Sequence, residues 1–214
     1  VVRTAKIEEW RKFAGDEGLG LHIDETPGGG LALRVDDYKK RLILLPGDKE
    51  EIETIGWEAA SDAELETFAA NLKSHGVPFE WGDEDAAELR SVRHFMSFSG
   101  PKGMKMEIFE GPTQQNGFVT GECGIGHIAM VTKRPEETVD FFKKILGARH
   151  TDTIEDTLQR ITLDFTFLHL IPRQHSIAVG ATRGMKMDPM PVNIQHFSLQ
   201  IENYADMTAA NRRV

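Results

Sequence analysis

Ile125-Gly126-His127-Ile128-Ala129-Met130-Val131, followed by a helix-like stretch from Pro135 to Gly147, is the segment on which the fold turns. The first seven residues read as a strand opened by a glycine. Pro135 suits the first turn of a helix. Glu136 and Glu137 complement that helix's positive end, and Lys143 and Lys144 its negative end. Val139, Phe142 and Leu146 share one face, and Gly147 predicts the stop. Seventy positions earlier the pattern has already run once. Ile55-Gly56-Trp57-Glu58-Ala59 leads to Ser61 and Glu64 as a capping box, then to Leu65, Phe68 and Leu72 as an apolar stripe ended by Gly76.

Strand signals follow each helix: Pro78–Trp81, His94–Phe98 and Met104–Phe109 after the first, and Arg149–Ile154, Leu158–Leu170 and His175–Val179 after the second. Outside this pair, Ile7, Trp10, Phe13 and Ala14 predict a helix ended by Gly15 and Gly18. Leu31–Val35 and Arg41–Leu45 read as paired strands before a Pro46-Gly47 turn, in a unit that lacks its opening strand. Ile194-Gln195-His196 opens a fourth unit, which runs through Asn203 into a helix and stops at Val214 before its last three strands. The chain therefore reads as tandem β-α-β-β-β units, an α+β fold of two cupped mixed sheets. A linker expected over Gly111–Gly121 divides it into residues 1–118 and 119–214.

Composition narrows the partners. A net charge of -9 over 214 residues argues against nucleic acid or an anionic membrane surface. The single Cys123 allows no internal disulfide and fits a reducing cytoplasm, with a small buried residue favoured over a nucleophile. No stretch has the roughly 20 apolar residues that span a bilayer, and the first residues lack a signal-like apolar core. A soluble cytoplasmic protein is expected.

Three histidines, His127, His175 and His196, begin or lie in strand-like runs. Imidazole is the commonest protein ligand for a transition metal, so metal chemistry leads over packing. Where the third unit has His127, the second has Trp57, so only residues 119–214 are expected to bind metal. His22, His75, His94 and His150 read as incidental and His169 as structural. The acidic runs Asp48–Glu53 and Asp83–Glu88 read as solvated faces, and Met185–Met190 as loop packing.

The order Gly121-Glu122, Gly124-Ile125-Gly126-His127, Phe167-Leu168-His169, Pro172-Arg173-Gln174-His175-Ser176 and Gln195-His196-Phe197-Ser198-Leu199 resembles the type I extradiol ring-cleavage dioxygenases of the vicinal oxygen chelate superfamily. Asp36-Asp37, Arg41-Leu42 and Pro46-Gly47 are also similar to that family. The resemblance implies a mononuclear Fe(II), occasionally Mn(II), held by His127, His196 and a glutamate on a final strand that this sequence does not reach. It implies His175 as acid–base residue and Phe167 as pocket lining. Ala129, two residues past His127 on the same strand face, would line the pocket too. The implied reaction is meta cleavage of a catechol-type diol such as 2,3-dihydroxybiphenyl with O2, in aromatic hydrocarbon breakdown, by a homo-oligomer. Two departures stand out: the family usually has a His-His pair at 174–175 and at 195–196, where here the first member of each is glutamine, and, more seriously, the sequence ends before the strand that would carry the glutamate. Glu107 belongs to the metal-free half and is no substitute for the third ligand. The alternatives are a glyoxalase-type lyase or transferase of the same superfamily and a non-catalytic binder. The four-unit length and the Arg173–Ser176 segment favour ring cleavage.

Overall fold

Three successive segments build the same four-stranded sheet. The computed structural model describes residues 1–112, 124–158, 160–184, 190, 193–201 and 203–214. The first unit comprises β1 (Val2–Thr4), α1 (Ile7–Ala14), β2 (His22–Thr26), β3 (Gly30–Arg34) and β4 (Leu42–Pro46). The short β5 (Glu51–Ile52) leads into β6 (Thr54–Glu58), α2 (Asp62–Ser74), β7 (Phe79–Trp81), α3 (Glu84–Arg90), β8 (His94–Ser99) and β9 (Lys105–Glu110). The third unit has β10 (Ile125–Val131), α4 (Pro135–Leu146), β11 (Arg149–Leu158), β12 (Ile161–His169) and β13 (Ile177–Thr182). Then β14 (Ile194–Leu199) and α5 (Tyr204–Arg213) open a fourth. The Gly111–Gly121 linker, Cys123 and Met185–Met190 fall mostly or wholly outside the described residues.

Each unit places its first strand beside its last, and the two run parallel: β1 with β4, β6 with β9 and β10 with β13. Such a pair needs a long crossover, and the helix that follows each first strand begins it. The first strand also bonds, antiparallel, to the start of the next unit, β1 to β5 and β10 to β14. Local chemistry sets the helix ends. Ser61 Oγ accepts the Glu64 N–H, and Glu64 reaches back to the Ala60 N–H at 2.6 Å. Gly147, at φ 69°, closes α4 in a left-handed conformation that suits glycine.

The first unit does have its opening strand, contrary to the sequence reading. Val2 and Thr4 are buried, and Val2–Thr4 pairs in parallel with Leu44–Pro46. Three residues are too few to display alternation, and the pairing partner is distant in the chain. The acidic run at 83–88 contributes most of α3, which Asp83 caps by accepting the Ala86 N–H.

The larger core draws on both sides of residue 118. Leu65 and Leu72 of α2, Met96, Met106 and Ile108 of β8 and β9, Ile128 and Met130 of β10, and Phe142 and Leu146 of α4 belong to one cluster. Trp57, the positional counterpart of His127, packs edge-on against Phe142. A smaller core lies within the first unit, and Phe197 of β14 packs against both. No helix among the described residues is long and apolar enough to cross a membrane.

A buried ion pair ties the first unit to the start of β10. Asp36 is 4% exposed; it accepts from Arg41 Nε at 2.6 Å and from the Tyr38 N–H at 3.0 Å. A side chain at Gly124 would collide with the Asp36 carboxylate, so the backbone before β10 packs directly on it. Asp36→Ala strands Arg41, although Glu58 lies 4.0 Å from that guanidinium and softens the loss. We expect a destabilisation of about 3 kcal/mol, the low end for a broken buried pair. A thermal melt should show it as a Tm drop of roughly 6–12 °C for a chain of this size.

Candidate functional site

The antiparallel pairing of β10 with β14 brings His127 opposite Ser198 and Ala129 opposite His196. Residues two apart on a strand share a face, so both imidazoles stand on the same side of the sheet. Their Nε2 atoms lie 3.1 Å apart. Two nitrogens bonded to one metal at about 2.1 Å and near a right angle would be about 3.0 Å apart. His175, two residues before β13, brings its ring to 4.4 Å from that of His127. All three imidazoles named from the sequence thus meet at one end of one sheet.

Tautomers decide whether this cluster suits a metal. His196 Nδ1 donates to Gln195 Oε1, and His175 Nδ1 donates to Gln174 Oε1. An amide oxygen can only accept, so this contact calls for the proton on Nδ1 of each ring and the lone pair on Nε2. The bare Nε2 of His196 and that of His127 together form a donor pair for a divalent cation. Burial holds the His127 imidazole below its ordinary range, and His175, His196 and Arg173 push it the same way. His175 is lowered as well, first by burial and then by Arg173 and His196. Both rings therefore favour the neutral, lone-pair form that metal binding and proton acceptance require.

Beside the imidazoles lies a trough with an apolar floor. In register across the sheet run Phe167 of β12, Ala178 of β13, Ala129 of β10 and His196 of β14. Only two methyl groups separate the aromatic ring from the histidine over three strand spacings of about 4.8 Å each. In the next row Phe165 faces Gly180, where a Cβ would come within 3.1 Å of the phenyl ring. Phe165 and Phe167 are nearly parallel, 22° between planes, and Phe167 stands 4.8 Å from the His175 ring.

Of the residues read from sequence, Phe167 and Ala129 therefore flank or floor this trough. His169 lies on β12 and shares a 2.7 Å hydrogen bond with Thr151. Glu107 is far from available, since Arg90 clamps both its oxygens at 2.6 and 2.7 Å. Phe165, Ala178, Gly180 and Arg173 were not anticipated. The Phe165–Phe167 alternation is a visible signal, whereas Arg173 shows in the sequence only as part of the Pro172–Ser176 segment, with no role marked for it. Arg173 reaches across β10 where a side chain at Gly126 would meet its guanidinium at 2.7 Å.

A second cluster with metal-ligand atoms, among the described residues, lies in the second unit. Asp62, His94 and Glu110 offer one ligand atom each, all within 4.8 Å of one another. Arg93 donates to both carboxylate oxygens of Glu110, so a cation already fills that place.

Known proteins resemble this chain in sequence and fold. Residues 1–47 match a family model described as dihydroxybiphenyl dioxygenase BphC D1, and residues 124–214 match the glyoxalase/bleomycin resistance protein/dioxygenase superfamily. An iron-dependent extradiol dioxygenase of Rhodococcus jostii is 29% identical, over 96% of this chain and 72% of that protein. A biphenyl-2,3-diol 1,2-dioxygenase of Metapseudomonas furukawaii is also 29% identical, over 99% of this chain and 71% of its own length. The crystal structure of a halotolerant catechol dioxygenase superposes with a TM-score of 0.83 at 26% identity, over 99% of this chain and 72% of that one. Over nearly its whole length the chain is similar to extradiol dioxygenases. The Mn(II)-bound glyoxalase of Novosphingobium aromaticivorans, 17% identical with a TM-score of 0.76, shares the vicinal oxygen chelate fold. The extradiol family is metal-dependent, and the donor set at 127 and 196 suits a divalent ion.

Proposed function

We propose that this protein opens a catechol-type aromatic diol, with 2,3-dihydroxybiphenyl as the representative substrate, by extradiol cleavage with O2 and Fe(II). The observation that carries the reading is the 3.1 Å approach of two imidazole Nε2 atoms beside a methyl-floored aromatic trough. The relatives named for biphenyl-2,3-diol and extradiol cleavage support the substrate class. Residues 119–214 carry the chemistry, and residues 1–118 are the structural counterpart, with Trp57 in place of a ligand.

His127 and His196 are the metal ligands supplied here, and Mn(II) is the alternative occupant. Fe(II) held there would supply a common centre for the diol and O2 and a path for electrons between them. The chain's own residues do the rest. Ala129 and Ala178 let the ring lie close to the sheet, and Phe167 closes one side and excludes water. His175 Nε2 takes a proton from a diol hydroxyl and later returns one to the departing oxygen. The positive charge of Arg173 stabilises the anionic diolate that proton loss creates.

Anaerobic Fe(II) reconstitution of the full-length protein, then 2,3-dihydroxybiphenyl and air, should give a yellow ring-opened product with matching oxygen uptake. No turnover on any catechol would shift the assignment to a glyoxalase-type enzyme or a non-catalytic binder. Filling the trough tests its role separately. Ala129→Phe should raise KM for the diol by roughly tenfold or more while metal content stays unchanged, because only ring binding is obstructed.

A further inference from the structure

Only two of the eight histidines follow a glutamine, and they are His175 and His196. In both, the glutamine side chain turns back to accept the Nδ1–H of the next residue's ring. Gln174 and His175 lie in the turn before β13, and at Gln195 the register with β10 shifts, Ala129 facing His196 and Met130 facing Ile194, so neither pair sits on regular strand and a long glutamine side chain can curl beside its neighbour's ring. At β14 there is room for it, since β10 is its sole sheet partner among the described residues and Gln195 is exposed.

We propose that Gln174 and Gln195 are positioning residues that lock His175 and His196 in the Nδ1–H tautomer, so that each Nε2 faces the site as a lone pair. The proposal rests on the metal-site reading for its functional meaning, but the lock itself is a property of the metal-free chain. At His196 the lock presents a ligand nitrogen in the correct form before any cation arrives. At His175 it keeps Nε2 ready to receive a proton. The amide has a further use there. When Nε2 is protonated, Nδ1–H remains and the bond to Gln174 persists, so the ring holds its orientation through both halves of a proton transfer. A carboxylate in the same place would add a charge, whereas the amide adds none.

The reach of the side chain separates positioning from simple polarity. In place of Gln195, an asparagine would be one methylene too short to curl back, whereas a glutamate would keep both length and an acceptor oxygen. Gln195→Leu and Gln195→Asn should therefore fail together, and Gln195→Glu should keep the lock.

Histidine-selective 15N labelling of the metal-free full-length protein reads the tautomers directly by long-range proton–nitrogen correlation. The wild type should show His175 and His196 as Nδ1–H. Gln195→Leu and Gln195→Asn should release His196 alone, and Gln174→Leu should release His175 alone. A wild type with the Nε2–H form at residue 196, or variants with unchanged spectra, would overturn the lock. Titration with Co(II) against a competing chelator then reads the consequence. Gln195→Leu should bind Co(II) about 10–100-fold more weakly, the usual effect of removing a hydrogen-bond partner from a ligating histidine. Gln195→Glu should stay within a few fold of wild type, and Gln174→Leu should be unaffected. Equal weakening in the Leu and Glu variants would overturn the positioning role at residue 195. Failure of the wild type to bind Co(II), with the tautomer pattern intact, would overturn the metal reading and leave the lock standing.

Discussion

His127→Ala should strip the metal from the protein while leaving the fold in place. Even an outer hydrogen-bond partner of a ligating histidine is worth about 10–100-fold in metal affinity, so removing a ligand itself must cost more. We expect the Fe(II) content after desalting to fall below a tenth of the wild-type value, and oxygen uptake with a diol to fall with it. The fold should survive because β10 is anchored by its other face. Ile128 and Met130, 5% and 0% exposed, enter the large core, whereas His127 stands on the open side. A substitution away from core and caps shifts stability by no more than about 0.5 kcal/mol, so the circular dichroism melt should barely move. The control is His94→Ala. If the metal sat among Asp62, His94 and Glu110, that variant would lose it and His127→Ala would keep it. Full iron content in His127→Ala would end the assignment of the centre to β10 and β14.

Much of this was visible in the chain because the fold repeats itself. A strand, a capped helix and a glycine stop recur at Ile55 and Ile125, and each copy confirms the other. The opening strand Val2–Thr4 escaped because three residues show no period, and its stability comes from parallel pairing with β4. The site was legible in part. Imidazoles on strand starts suggest a metal by their chemistry alone, and Ala129 follows from the two-residue period. Phe165 lies in the same alternating run as Phe167, so the two-residue period marks it as well. Arg173, Gln174 and Gln195 stand out in the sequence only as parts of the resemblance, without roles of their own. Their roles depend on where a long flexible side chain ends, and backbone periodicity does not encode that. The shared core raises a related point. The linker expected near residue 118 suggests two separate bodies, yet α2 and α4 bury their stripes against one another. Asn71 Nδ2 also donates to the Lys144 and Ile145 carbonyls. Residues that never approach the imidazoles thereby fix the orientation of the sheet that carries them.

His175→Ala should have the opposite signature to His127→Ala: metal retained, turnover lost. The His175 ring packs 4.4 Å from that of His127 and 4.8 Å from that of Phe167. On the proposed function, a group in that position would meet the diol's hydroxyls and its ring together. Positioned acid–base groups contribute about 10²–10⁴ in rate, so kcat should fall by at least roughly a hundredfold. The same removal leaves a ring-sized space open to small solutes. Added imidazole should re-enter it and restore part of the lost rate in His175→Ala, and should do nothing for His127→Ala, where the metal itself is gone. Iron analysis, kcat and imidazole rescue together separate the roles of the two residues. Equal metal loss in both variants would make His175 a third ligand. Full turnover in His175→Ala would assign proton transfer to the solvent or to another residue.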